Sequence, residues 1–230
     1  MKHCTIILFL LAAPVPAATF HILCAGLGGE PDYDTRFVSL VQDAAKLLAS
    51  PGSMVIPLTG ADASKDSLKS SIARATAATS AEDIIVVTLI GHGTHDGADY
   101  RFNLPGPDLT AVELDQWLAP ARARTVVVLA TSASGGAVQT LRGPNRVIIS
   151  ATRSGTEKNA VVFSRYWIDA LRDAAADADK NESVTALEAF RFASLKTARY
   201  YETLKRLATE HPVLEDSGKG EAATNPSAEN

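Results

Sequence analysis

The sequence predicts an α/β domain built on a mainly parallel sheet with helices on both faces. Two observations carry that prediction. Short β-prone runs alternate along the chain with segments whose apolar residues recur at helical spacing. The runs DIIVVTLI at 83–90, TVVVLA at 125–130 and RVIIS at 146–150 are also nearly continuous in apolar residues. A strand that is apolar on both sides needs cover on both faces, which parallel sheets have. The 230 residues suit one domain with tails, and 46% hydrophobic residues suffice for a real core. No internal repeat and no second domain boundary is visible.

The elements follow in order. Residues 1–18, MKHCTIILFLLAAPVPAA, have a basic start, a short apolar run and an Ala-rich end. That three-part pattern reads as a signal peptide, and its apolar run is too short to span a bilayer as a helix. Cleavage after Ala17 or Ala18 leaves a periplasmic or secreted chain with no integral membrane segment. Processing also removes Cys4 and leaves Cys24 alone, so no intramolecular disulfide forms. Cys24 sits in an apolar strand, 19–25, and reads as a buried thiol. A helix follows through Phe37, Leu40, Val41, Ala44 and Leu48, then a strand at 53–58 and an Ala/Ser-rich helix at 64–78. Thr110 and Glu113 form a capping box that opens a short helix with Leu114 and Leu118. Helices are expected at 160–175 and 185–210. Residues 214–230, rich in Gly, Ser, Asn and Glu, read as a disordered tail, so the domain runs over 19–213.

In open α/β sheets, sites form beyond the carboxyl ends of the strands. Two loops stand there: GHGTHDG at 91–97 and TSASGG at 131–136. A His facing a small hydroxyl residue suits acyl transfer, and the glycines let backbone N–H groups approach a developing oxyanion. An apolar strand ending in His-Gly, followed by a second ending in a short nucleophile loop, resembles the caspase–legumain group of cysteine peptidases. GHG at 91–93 matches that group's catalytic His-Gly. ATSASGG at 130–136 is similar to the legumain-type Ala-Cys-x-Ser-Gly motif, with Ser132 at the cysteine's position. The resemblance covers roughly residues 20–170. It implies a caspase-like three-layer sandwich, with His92 as the catalytic histidine and Gly93 and the Ser132 amide at the oxyanion site. It also implies Arg36, by a looser match, in the substrate pocket.

The departure matters more than the match. No cysteine follows Cys24, so the family's nucleophile is absent. A thiol is partly ionised at neutral pH, and a serine hydroxyl is not. The sequence therefore points to a non-catalytic pseudo-peptidase that holds a peptide or protein segment in the strand-end cleft. The alternative is an active hydrolase using a Ser132/His92 dyad. A purely structural, calcium-stabilised domain is a third reading.

A separate pattern lies at 177–188. Asp177, Asp179, Asn181 and Thr185 occupy positions 1, 3, 5 and 9 of a twelve-residue loop, with Glu188 at position 12 and the Ser183 carbonyl at position 7. Hard oxygens at this spacing resemble an EF-hand, and the expected cofactor is Ca2+ bound by Asp177, Asp179, Asn181, Ser183, Thr185 and Glu188. Glu182 stands where that loop has Gly. A non-Gly residue in a left-handed conformation costs about 1–2 kcal/mol, which weakens binding by about one order of magnitude. The plainer reading is a helix–loop–helix joint in which Thr185 and Glu188 form a capping box. Other chemistries are excluded more easily. A net charge of −4 offers no basic face for nucleic acid. His92 and His95 lack a third zinc ligand. Gly26-Leu27-Gly28 is followed by Pro31 where a dinucleotide loop needs its third glycine.

Overall fold

The computed structural model describes residues 17–227. The expected signal peptide, apart from its last two residues, lies outside the described residues. The chain runs β1 (Thr19–Ala25), α1 (Pro31–Leu48), β2 (Ser53–Leu58), α2 (Lys65–Ala78), β3 (Ile84–Gly91), β4 (Gly93–His95), β5 (Tyr100–Phe102), β6 (Leu109–Thr110), α3 (Ala111–Leu118), β7 (Arg124–Thr131), α4 (Val138–Leu141), β8 (Arg146–Ser150), α5 (Phe163–Ala170), α6 (Ala186–Thr203) and β9 (Val213–Glu215).

Six strands form the main sheet in the order β2-β1-β3-β7-β8-β9. The first five are parallel, and β9 closes the edge antiparallel to β8. Side chains alternate between two cores, as the pleat requires. Phe20, Ile22 and Cys24 of β1 join Val87, Leu89 and Val127 beneath α2, α3 and α4. Leu23 and Ala25 join Ile90, Val128 and Ala130 beneath α1, α5 and α6. The α/β class with a sheet covered on both faces is therefore present. Among the described residues no helix is long and apolar enough to cross a membrane.

Local chemistry sets the boundaries. Pro31 opens α1, where its missing N–H costs nothing, with Asp32 and Asp34 in the first turn. Ser64 caps α2. The capping box expected at Thr110 and Glu113 is formed, and a second one closes between Thr185 and Glu188. Cys24 is fully buried, and burial pushes its thiol up to about 12.

Three expectations need correction. The helix expected over 185–210 spans only Ala186–Thr203. The helix expected over 160–175 is confined to Phe163–Ala170, followed by a single 3-10 turn at Ala174–Ala176. The Glu210 carboxylate accepts the N–H groups of Val162 (2.7 Å) and Phe163 (3.1 Å) and so fixes the start of α5. Asp173 caps the 3-10 turn through the Ala175 N–H and turns the chain out of the helix. The tail expected to be disordered is tied down as far as residue 227. Val213 and Leu214 are buried in β9, and Leu214 bridges Ala223. The Glu215 carboxylate accepts the Ser217 hydroxyl and the Gly220 N–H, while Gln139 donates to the Gly220 carbonyl and Arg191 to that of Pro226. Two buried apolar residues and one carboxylate order a stretch whose composition is otherwise that of a loop.

Candidate functional site at the strand ends

β4, β5 and β6 form a small antiparallel sheet inserted after β3. His92 accepts at its carbonyl from Asn103, and Asp96 donates its N–H to the Asp99 carbonyl. Antiparallel bonding alternates along a strand, so the peptide groups of Gly93 and His95 face the other way, off the free edge of β4. The loop after β7 meets that edge. The Ser132 Oγ accepts the Gly93 N–H at 3.1 Å and donates to the Gly93 carbonyl at 3.1 Å. Ser132 is only 2% exposed. A Cβ on Gly93 would lie 2.5 Å from the Ser132 carbonyl and 2.5 Å from the Tyr100 ring, so no other residue fits there.

His92 turns the other way. Its ring stands edge-on to Tyr33, with centroids 4.7 Å apart, and to Phe37 at 5.1 Å. Burial lowers its pKa. A hydrogen bond to the Gly28 backbone, with Glu30 and Asp34 nearby, opposes that shift without cancelling it. Gly28 is itself fixed, since its N–H donates to Asp34 Oδ1 at 2.6 Å. The structure thus brings Ser132 to Gly93 and His92 to α1. Among the described residues no hydrogen bond joins His92 to Ser132.

A buried hydroxyl network holds the loop. Ser134 Oγ donates to the Thr131 carbonyl (2.8 Å), Ser150 Oγ donates to Ser134 Oγ (2.8 Å), and the Gly135 N–H donates to Thr152 Oγ1 (2.9 Å). Tyr100 shares a 2.6 Å hydrogen bond with Thr131 Oγ1, and burial raises its phenol pKa far above the ordinary value. Ala133 sits at φ 56°, a conformation that costs about 1–2 kcal/mol for a residue with a Cβ. Its N–H donates to the Glu157 carbonyl at 2.8 Å, which holds it there. His95, considered above only as a metal ligand, lies against this loop: a Cβ on Gly136 would come within 2.3 Å of its ring. None of these partners carries a motif. Only the position of Ser150 at the end of a buried strand, with Thr152 just beyond it, hints at them.

No family model matches the sequence, and no curated protein matches it. Solved structures do. Protein GSU0716 from Geobacter sulfurreducens is similar with a TM-score of 0.57 and 13% identity, over 79% of this chain and 89% of that one. The Drosophila initiator caspase Dronc is similar with a TM-score of 0.53 and 12% identity, over 91% of this chain and 83% of that one. The fold is caspase-like. At this identity the likeness concerns the fold alone.

In this caspase-like frame, Arg36 lies on the exposed face of α1, its guanidinium 5.2 Å from the centre of the Tyr33 ring. It borders a crevice of about 280 Å³ that Tyr33, Val162, Tyr200, Arg206 and Leu207 also line. Tyr33 is the wall between this crevice and His92. Leu207 is 91% exposed.

The 177–188 loop lies away from these residues. Asp177, Asp179 and Glu188 each offer an oxygen within 4.8 Å of the others. Asp177 accepts the N–H groups of Asn181 (3.1 Å) and Glu182 (2.9 Å), and Asn181 Oδ1 accepts that of Ser183 (2.9 Å). Lys180 and Glu182 take positive φ, 60° and 66°. The all-oxygen donor set suits a hard cation. Glu188 also serves the helix cap: Oε2 accepts from the Thr185 N–H and hydroxyl, and Oε1 from Ala178.

Ser132→Ala leaves the Gly93 N–H and carbonyl buried without their partner. Urea unfolding should show a loss of about 1–3 kcal/mol, and equal stability of the two proteins would contradict this placement.

Proposed function

We propose that this chain is an exported caspase-like domain that holds a peptide segment at its strand-end face without cutting it. The single observation that carries the reading is the engagement of Ser132. Its hydroxyl spends its proton on the Gly93 carbonyl and fills the Gly93 amide, the group that the family resemblance assigns to the oxyanion. An attacking serine needs a base to take its proton, and the His92 ring stands edge-on to Tyr33 and Phe37, with no hydrogen bond to Ser132 among the described residues. Cys24, enclosed in the core, is no substitute. A peptide side chain fits the crevice beside Tyr33 and Arg36. The proposal includes removal of the signal peptide on export and Ca2+ as a stabilising ion at Asp177, Asp179, Asn181, Ser183, Thr185 and Glu188.

Four measurements test these parts. Labelled peptides from a library should bind in fluorescence polarisation, bind more weakly to Arg36→Ala, and remain intact. The Ser132→Cys variant should stay inactive, and its thiol should alkylate at the same rate with or without His92→Phe. Peptide turnover by the wild type, or alkylation that depends on His92, would favour the Ser132/His92 hydrolase instead.

Calcium at about 100 times its dissociation constant adds about 2.7 kcal/mol to a single site. The melting temperature should therefore rise with calcium in the wild type and not in Asp177→Ala. No shift at millimolar calcium would remove the ion from the account. Export is checked by mass spectrometry of protein recovered outside the cytoplasm, where the first residue should be Ala18 or Thr19. An intact Met1 there would contradict processing.

A further inference from the structure

At the strand starts of the main sheet, the chain is held from Ala18 onward. The Ala18 carbonyl accepts the Ile84 N–H at 3.0 Å, and the Ala18 N–H donates to Asp83 Oδ1 at 2.7 Å. Thr19 donates its N–H to the Gly52 carbonyl at 3.0 Å. Ala18 packs against the core, whereas Ala17 is exposed and makes no hydrogen bond among the described residues.

Asp83 is arranged around this contact. Its Oδ2 accepts the Ser80 N–H (2.7 Å) and hydroxyl (2.8 Å), which leaves Oδ1 to Ala18. Hydrogen bonds from Ser80 and Ala18 hold its carboxyl below the ordinary range, so it is ionised at neutral pH. All these donors are neutral. Among the described residues no Lys, Arg or His pairs with Asp83. The charged residues that flank the strand starts, Glu82, Arg122 and Arg124, are exposed, and neither the last turn of α2 nor the turn into β2 carries a charge. An ionised carboxylate therefore has one oxygen set on a backbone nitrogen and no cation beside it.

We propose that the signal peptide is cut between Ala17 and Ala18, and that the amino group so released forms an ion pair with Asp83. This rests on the export proposed above. Water adds across the peptide bond: the carboxyl leaves with Ala17, and the amine stays on Ala18, mostly protonated at pH 7. The nitrogen need not move, because the Ala18 carbonyl and the Thr19 amide keep their partners on Ile84 and Gly52. A neutral N–H then becomes an ammonium against a carboxylate, a stronger, charge-assisted contact. A cut after Ala18 would instead leave Asp83 Oδ1 and the Ile84 N–H without these partners. The precursor, whose Ala18 nitrogen is an amide, lacks the pair, so β1 is fully secured only after processing.

Mass spectrometry of the exported chain should show Ala18 as its first residue. NMR of the Ala18 methyl against pH then reads the titration of its amino group. The wild type should titrate about half a pH unit above Asp83→Asn, and salt at about 1 M should shrink that difference. Asp83→Ser replaces Asp83→Asn if the latter does not fold. A raised amine pKa stabilises the fold below the range in which the unfolded amine titrates, and the gain is lost as pH rises through the folded value. The advantage of the wild type in urea unfolding should therefore narrow between about pH 7 and about pH 10. An intact Met1 would overturn export and this cut together. Thr19 as the first residue would overturn the cut and leave export standing. An Ala18 amine that titrates alike with and without Asp83 would overturn the ion pair.

Discussion

A serine hydroxyl ties the small sheet to the main one at two atoms of a single residue. Ser132 stands at the end of a central strand of the main sheet, and Gly93 on the free edge of the small sheet. The hydroxyl accepts from one side of the Gly93 residue and donates to the other, at 3.1 Å each. Much around it serves this contact. Gly93 has no side chain because Ser132 and Tyr100 occupy its space. Tyr100 reaches over to Thr131, the residue before the serine. Ala133, the residue after it, is held in a left-handed conformation by Glu157. An edge strand with open peptide groups is a site for unwanted pairing, and here its first residue is closed by a side chain.

The same atoms cannot serve two purposes. In the proposed reading, a hydroxyl that accepts from the Gly93 amide and donates its proton to the Gly93 carbonyl is not an activated nucleophile. The proposed absence of acyl-transfer chemistry lies in what stands at the strand ends of this caspase-like fold. His92 fits that reading. Its ring belongs to the packing of α1, between Tyr33 and Phe37, and the Gly28–Asp34 hydrogen bond fixes the loop that holds it. The crevice lined by Tyr33, Arg36, Tyr200 and Arg206 is where the proposal seats a peptide segment.

Much of the fold was legible because its signals are local. Runs such as DIIVVTLI and TVVVLA are apolar on both faces and read as covered strands. The boxes at Thr110 and Glu113, and at Thr185 and Glu188, are set by residues three apart. The missed parts depend on distant partners. β4, β5 and β6 are two or three residues long, too short for periodicity. β9 hides in a polar tail because only Val213 and Leu214 carry it, and α5 begins where Glu210, far along the chain, accepts its first N–H groups. At the site, the positions of His92 and Ser132 were readable from strand ends, but the direction of each side chain was not. Tyr33 and Phe37 turn one of them, Gly93 takes the other, and no spacing records either choice.

The Gly93 amide reports the central contact directly. In the wild type its hydrogen should exchange slowly, because Ser132 Oγ accepts it within a buried site. In Ser132→Ala it should exchange far faster, while amides in the middle of β3 and β7 remain protected. A Gly93 amide that exchanges in the wild type as freely as an exposed one would show that the hydroxyl does not close the edge, and the account of this site would fail.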